Sequence, residues 1–185
     1  MRSIYKLVVC SLLTLSITSC EKDLLDKEQY QKEIYLIGAY NRVWTTEVSY
    51  SNEEVKTYFT VSSSGTLALD RDVNVKMKIN EELVDIYNKK YWTVLNEDKY
   101  YKSLDTDLYS IPSLENTVIK HAEGISAEVP VLIKTASLKI DQSYVIPVEI
   151  ESTTGYPISE SGYKMLILLK LKNDYSGSYQ MSGHT

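Results

Sequence analysis

The feature that most constrains this fold is an alternation of apolar and polar side chains between residues 34 and 172. At residues 73–79 the odd positions are apolar, whereas Asn74, Lys76 and Lys78 are polar. Successive side chains of a strand point to opposite faces of a sheet, so this period of two predicts a strand with one buried face. A mainly β fold is therefore expected.

Further strand-length segments follow the same pattern and are separated by turn residues. With residues 73–79 they predict seven or eight short strands in an antiparallel β-sandwich. The segments are 34–40, 55–61, 108–111, 117–120, 127–135, 144–152 and 163–172. Pro130 and Pro147 fall inside two of them. Because proline cannot donate a ladder hydrogen bond, each is expected at a sheet edge or a bulge.

One segment, residues 81–90, departs from the period of two. Its apolar side chains, such as Leu83, Ile86 and Tyr87, recur three and four residues apart, which is the spacing of one helix face. Asn80 is a residue type that caps helices, and the two glutamates after it suit a helix N-terminus. These features predict one short helix packed onto a sheet.

Residues 1–19 have the parts of a lipoprotein signal peptide. Arg2 and Lys6 give a positively charged start, and the apolar stretch that follows, about 11 residues, is too short to span a bilayer. Residues 17–20, Ile-Thr-Ser-Cys, fit a lipobox, in which small residues precede the cysteine that receives the lipid. We therefore expect cleavage before Cys20, lipidation of Cys20 and anchoring in a membrane.

The remaining chain divides into three predicted parts. Residues 20–33 are charged and are expected to form a lipidated tether, residues 34–173 the sandwich, and residues 174–185 a tail or the first strand of a second domain. The start of the tether, Cys20-Glu21-Lys22-Asp23, resembles the acidic export signal of Bacteroidota lipoproteins. That resemblance implies the outer membrane, with the domain facing the cell exterior.

Charge and cysteine usage exclude several classes of protein. Cleavage removes Arg2 and Lys6 and lowers the formal net charge from −5 to −7, which argues against nucleic acid as a partner and against adhesion to anionic lipid. Cys10 leaves with the signal peptide and Cys20 is consumed by lipidation, so no disulfide is expected within the chain. The hydrophobic core must stabilise the fold by itself.

Several short motifs resemble the Bacteroidota lipoprotein domain of unknown function 1735. They are residues 79–84 (Ile-Asn-Glu-Glu-Leu-Val), Tyr100-Tyr101, residues 118–120 (Val-Ile-Lys) and residues 144–148 (Tyr-Val-Ile-Pro-Val). The resemblance implies an immunoglobulin-like sandwich at the N-terminus of surface lipoproteins, often encoded in polysaccharide-utilisation loci. Lipocalin-like, lectin-like or glycoside hydrolase domains follow it in relatives. Residues 173–183 look like the first strand of a lipocalin-like domain, so the chain is expected to be truncated there, unless this is an ordinary tail.

Catalytic and metal-binding patterns are missing from the sequence. His121 and His184 are the two histidines, and no nucleophile elbow or phosphate-cradling loop occurs. A calcium-like spacing runs from Asp70 to Glu81, but its sixth position is Val75 rather than the glycine that the turn requires. We therefore expect no enzyme activity, cofactor or metal.

Aromatic side chains are the remaining candidates for ligand binding. The chain has 16 Tyr but only one Phe and two Trp. Sugars present C–H faces that stack on such rings, and Trp44, Trp92, Tyr91, Tyr101 and Tyr109 are the candidate residues. The alternative is that the aromatic residues around Trp92 pack the helix onto the sandwich.

The expected function is that of a non-catalytic cell-surface module that assists glycan capture. Its expected partners are the membrane that holds Cys20, a glycan, and other surface lipoproteins or an outer-membrane transporter. Two alternatives stay open. One is a structural or adhesive envelope protein that acts through protein contacts, for example at an open sheet edge. The other is an accessory domain of a glycoside hydrolase.

Overall fold

The computed structural model describes residues 27–172, in which two β-sheets pack face to face. Cys20 and the tail at 174–185 lie outside the described residues. Ten strands occur within the described range. They are β1 (Ile34–Leu36), β2 (Val43–Ser49), β3 (Glu54–Ser63), β4 (Val73–Ile79), β5 (Lys102–Ser103), β6 (Tyr109–Ser110), β7 (Thr117–Ile119), β8 (Ser126–Lys134), β9 (Tyr144–Thr153) and β10 (Lys164–Lys172).

The two sheets differ in size and strand direction. The four-stranded sheet has the order β1-β3-β8-β6 and is antiparallel. The six-stranded sheet has the order β2-β10-β9-β4-β7, with β5 beside β9. In it β2 runs parallel to β10, and β5 runs parallel to β9. The predicted mainly β sandwich is confirmed, but the structure has more strands than predicted and two of its pairings are parallel.

The extra and shortened strands have local causes. β2 was not predicted because it is an edge strand whose only fully buried side chain is Val48. β5 has two residues, too few for a period to show. β1 ends at Leu36 because Gly38 has a φ of 89° and opens a 3-10 turn at Ala39–Asn41.

The two strand prolines occupy different places. Pro130 pairs with Tyr58 of β3, while β6 reaches β8 only at Leu132 and Ile133, so Pro130 lies on a free edge as predicted. The prediction for Pro147 is wrong, because β9 is a central strand and its register shift against β4 lies elsewhere. Pro147 follows the residues that pair with β5 and precedes those that pair with β4, so no partner strand needs its missing N–H.

The main core fills the space between the sheets. The apolar positions of β4 are buried, as the alternation predicts, together with Phe59 of β3 and Ile133 of β8. Each fully buried side chain of this kind contributes about 1.5–3 kcal/mol relative to exposure. Burial of these side chains is the main stabilising contribution within the described residues.

The single α-helix of the described residues, α1 (Glu82–Tyr91), packs on the outer face of the six-stranded sheet. Asn80 Oδ1 accepts a hydrogen bond from the Glu82 N–H at 3.2 Å, so the predicted cap is present. Leu83 and Val84 form a second buried cluster with sheet residues. The predicted helix on a sheet is confirmed. In the described part of the chain no helix has the length and hydropathy needed to cross a bilayer.

Candidate functional site

Three tyrosines stack beside one another at the C-terminal end of α1. The ring centroids of Tyr87 and Tyr91 lie 4.5 Å apart with the planes tilted by 35°. On its other side Tyr87 stacks on Tyr101, at 5.2 Å and 10°. We call Tyr87, Tyr91, Trp92 and Tyr101 the helix-end aromatic surface.

Two local features bring the tyrosines together. Tyr87 and Tyr91 are four residues apart and therefore share a helix face. Asn88, which is buried, holds Tyr101 by two bonds. Its Nδ2 donates to the Tyr101 carbonyl at 2.9 Å, and its Oδ1 accepts from the Tyr101 N–H at 3.0 Å. Sequence reasoning missed Asn88, although a polar residue on the buried side of a predicted helix is a signal worth following.

Trp92 stands where α1 ends. Its backbone N–H closes the helix by donating to the Asn88 carbonyl at 2.9 Å, and its own backbone is extended. The indole is half-buried, and its Nε1 has no hydrogen-bond partner among the described residues. Lys99 Nζ lies 5.7 Å from the indole centroid, a cation–π distance.

The helix-end aromatic surface is partly open to solvent. Tyr91 is 49% exposed, and Lys90 Nζ lies 5.3 Å from its ring centroid. The next apolar residues along the chain, Val94 and Leu95, are 76% and 94% exposed. This surface therefore combines partly exposed aromatic rings with lysine ammonium groups that lie over the rings of Tyr91 and Trp92.

The hydroxyl of Tyr87 keeps its proton over the physiological pH range. Burial, and then the neighbouring Tyr101, raise its pKa to about 12. The Tyr87 phenol therefore adds no charge to this surface at neutral pH, and the lysines beside it, Lys90 and Lys99, do.

Trp44 lies apart from the helix-end aromatic surface. Its strand pairs with β10 along the edge of β10 that does not pair with β9. Trp44 lies on the edge strand β2, opposite Ile167 of β10, and is 38% exposed. A Cβ at Gly38 would lie 2.5 Å from Trp44 Cε3, so the indole packs directly on the Gly38 backbone. One side of the ring is thus covered, and no aromatic partner among the described residues joins it.

Tyr109 also lies apart from the helix-end aromatic surface. It pairs with Ile133 and packs against the main core, and its hydroxyl is buried with no bonding partner among residues 27–172. Burial, and then the charge of Glu81, raise the pKa of Tyr109 to about 12. Its placement fits packing. Of the five predicted residues, the structure joins Tyr91 and Tyr101 through Tyr87, and Trp92 directly follows Tyr91 in the chain.

The calcium-like spacing is dispersed in the fold. Asp70 accepts from Arg71 and from the Tyr156 hydroxyl, and these bonds hold the pKa of its carboxyl well below the usual range. Asp72 instead accepts from His121, at 2.6 Å from Nδ1, which also lowers the Asp72 pKa. Among the described residues no group of three or more His, Cys, Asp or Glu side chains is placed to hold a metal.

Comparison with known proteins places the fold in a family. A family model described as an N-terminal domain matches residues 30–157, more than half of the chain. A multidomain Bacteroides ovatus structure that includes domain of unknown function 1735 matches with a TM-score of 0.59 and 20% identity. The match covers 74% of this chain and 43% of the Bacteroides ovatus chain. This chain belongs to the Bacteroidota family of domain of unknown function 1735. None of the curated proteins compared with it matches.

Two further structures show the same fold within larger proteins. An auxiliary nutrient binding protein from Bacteroides thetaiotaomicron matches with a TM-score of 0.60 and 16% identity, over 76% of this domain-1735 chain and 47% of that chain. EndoBT-3987 from the same species, solved with a Man5GlcNAc product, matches with a TM-score of 0.54 and 20% identity. That match covers 75% of this chain and 30% of that one. The chain thus spans half or less of the length of these relatives.

Proposed function

We propose that this chain is a non-catalytic module, anchored by lipid at Cys20 on the outer face of the outer membrane, that assists glycan capture. The observation that carries the proposal is the helix-end aromatic surface, where the rings of Tyr91 and Trp92 are partly exposed and a flexible lysine, Lys90 or Lys99, lies over each. The nutrient-binding and glycan-processing relatives support it, because both carry this domain within larger proteins.

The expected binding mode is stacking of a sugar ring on Tyr91 or Trp92. Aromatic contacts of this kind contribute about 0.5–1.5 kcal/mol each beyond area burial. One or two such contacts supply at most about 3 kcal/mol, which is weaker than millimolar binding of a single sugar unit. A site of this strength suits a long polysaccharide, because repeated units raise the effective concentration of the next contact.

Location is the second part of the proposal. The lipobox before Cys20 and the acidic residues after it support an anchor and export to the cell surface. Labelling with a radioactive fatty acid is expected in the wild type and absent in Cys20→Ser. Protease added to intact cells is expected to remove the domain, and protection from that protease would contradict surface exposure.

Affinity electrophoresis against a panel of host and plant polysaccharides tests the binding. The wild type is expected to be retarded by at least one glycan, and Tyr91→Ala and Trp92→Ala are expected to lose most of that retardation. Trp44→Ala is the matched control, because Trp44 lies apart from the helix-end aromatic surface. Absence of retardation on every glycan would contradict direct binding.

A second candidate function is contact with a protein partner, such as another surface lipoprotein, an outer-membrane transporter or the catalytic domain of a glycoside hydrolase. The exposed apolar side chains of Val94 and Leu95, directly after Trp92, favour it. Val94→Asp with Leu95→Asp is expected to abolish co-purification with such a partner while leaving glycan retardation intact. Co-purification that survives both substitutions would contradict this candidate.

A further inference from the structure

A carboxylate ahead of the first strand binds the loop after β3. The Glu28 carboxylate accepts hydrogen bonds from the Thr66 N–H at 2.6 Å, the Thr66 hydroxyl at 2.7 Å and the Leu67 N–H at 3.3 Å. Lys32 bonds both Glu28 and the Leu67 carbonyl. These bonds hold the pKa of Glu28 well below its usual range, with the Lys32 bond the largest cause.

Backbone bonds extend this attachment as far as β1. The Gln29 N–H donates to Thr66 Oγ1 at 3.1 Å. The Glu33 N–H donates to Ser64 Oγ at 2.9 Å, and the Ser64 N–H donates to the Glu33 carbonyl at 2.9 Å. We call Glu28, Lys32, Ser64, Thr66 and Leu67 the N-terminal clamp. Part of the segment expected to act as a tether, residues 28–33, is thus held on the sandwich.

The clamp lies at one end of the sandwich, where β3 ends and β8 begins. We call the opposite end of the sandwich the distal end. There the Tyr50 N–H donates to the Lys172 carbonyl at 2.7 Å, and the Lys102 N–H donates to the Ser143 carbonyl at 2.9 Å. Tyr101 directly precedes Lys102, so the part of the helix-end aromatic surface that Tyr101 forms lies at the distal end. β3 runs between the two ends, and its length at about 3.3 Å per residue separates them by about 30 Å.

The chain between the lipid site and the clamp is short. Eight peptide steps separate Cys20 from Glu28. At 3.3–3.6 Å per residue these steps reach at most about 29 Å. The clamp end is therefore kept within that distance of the lipid, whereas the distal end lies about 30 Å farther along β3.

Several charged groups at the clamp end are paired within the protein, while others such as Glu128 and Glu160 are exposed. Besides Glu28 with Lys32, Arg71 pairs with Asp70, Lys120 with Glu123, and His121 with Asp72. Three apolar or amphipathic side chains stay exposed at this end: Tyr30, Leu67 and Ile125. Paired charges approach lipid headgroups without strong repulsion, and exposed rings and aliphatic groups suit the headgroup layer.

From these observations we propose that the clamp end faces the bilayer that holds the Cys20 lipid, so that the distal end with Tyr101 projects away from it. This inference rests on the lipidation included in the proposed function. The partner of the clamp end is a lipid surface. The short reach from Cys20 keeps the clamp end near the bilayer, the three exposed side chains favour its contact with the headgroups, and the N-terminal clamp holds the start of the chain on the sandwich.

Energy transfer to the membrane tests this orientation with the full lipidated chain. Ser126→Cys labels the clamp end and Ser137→Cys labels the distal end, and both serines are exposed. Each added cysteine is the one free thiol after Cys20 is acylated. In vesicles of phosphatidylethanolamine and phosphatidylglycerol that carry a headgroup acceptor dye, transfer from Ser126→Cys is expected to be about twofold higher or more, given an end-to-end distance of about 30 Å. Equal transfer, or more from Ser137→Cys, would overturn the proposal.

Glu28→Ala combined with Thr66→Ala releases the N-terminal clamp and is expected to reduce the difference between the two labels. Lys76→Ala, which removes an ion pair on the six-stranded sheet, is the matched control and is expected to leave it unchanged. An unchanged difference after clamp release would contradict the rigid attachment. Glycan retardation of the soluble domain is measured separately, so loss of glycan binding and loss of orientation give distinguishable results.

Discussion

The two sides of α1, a helix of ten residues, differ in burial. On the underside, Leu83 and Val84 are buried against Val145 and Leu166. On the outer side Ile86 is about half exposed, and at the last residue of the helix Tyr91 is about half exposed as well. The underside fixes the helix on the sheet, and the outer side displays apolar groups that contribute little to folding.

Tyr87 lies between these two sides and joins them. It packs beside the buried cluster and also stacks on Tyr91 and Tyr101. Packing on the sheet and exposure to solvent are therefore separate roles of different side chains along one short helix. The two readings of the aromatic residues, packing and ligand binding, therefore apply to different members of the set.

The largest effect is expected from the underside. Leu83→Ala should lower the free energy of unfolding by about 2–4 kcal/mol, because it leaves a cavity between α1 and the sheet. Urea unfolding followed by circular dichroism measures this. Leu95→Ala, at a site that is 94% exposed, is the control and should change stability by less than about 0.5 kcal/mol. Similar losses in the two variants would remove the distinction between the sides.

A smaller loss is expected from Asn88→Ala, which tests the link between the sides. The substitution leaves the N–H and the carbonyl of Tyr101 without their partner, a cost of about 1–3 kcal/mol. Because Tyr101 then loses its fixed position, glycan retardation should also weaken. Unfolding and affinity electrophoresis on the same variant check both results, and full retention of both would contradict the role of Asn88.

Tyr109→Phe extends the comparison to a tyrosine in the main core. The pKa of tyrosine in an unfolded chain is about 10, whereas burial raises the pKa of Tyr109 to about 12. The neutral form is favoured on folding, so its contribution is complete below pH about 10 and is lost as the pH rises toward about 12. The variant should lose less stability than the wild type over that window.

Thermal unfolding of Tyr109→Phe and of the wild type between pH 7 and about 12 measures this difference. An equal pH response of the two proteins would contradict the burial assigned to Tyr109.

The smallest effect on stability is expected from Tyr91→Ala. About half of this side chain is already in water, so the loss is mainly that of the ring contact with Tyr87, about 0.5–1.5 kcal/mol. Differential scanning calorimetry gives the change. A loss as large as that of Leu83→Ala would show that Tyr91 is a packing residue rather than part of a displayed surface.

Much of the fold is predictable from the sequence because its signals are local. The alternation at 73–79 matches β4, and the three-and-four spacing matches α1 within one residue. β2 was not predicted because its strand conformation depends on pairing with β10, which supplies its hydrogen bonds. Polar side chains such as Thr45 and Glu47 face solvent, so the local sequence shows no buried face.

The candidate site was predictable only in part. Tyr91, Trp92 and Tyr101 stand close in sequence, so their proximity was foreseeable. The pair of bonds from Asn88 to Tyr101 and the inward direction of Tyr109 depend on how α1 and β6 pack, which no local pattern records. The N-terminal clamp likewise joins residues more than thirty positions apart, as in the Glu28–Thr66 pair.

Intrinsic tryptophan fluorescence tests the helix-end aromatic surface most directly, because the chain has two Trp and each can be removed in turn. A glycan that retards the protein is titrated into Trp44→Phe, in which Trp92 is the remaining indole, and into Trp92→Phe, in which Trp44 remains. The surface at the end of α1 predicts an emission change in Trp44→Phe and none in Trp92→Phe. A change confined to Trp92→Phe would place the ligand on the β2 edge and contradict the proposed site.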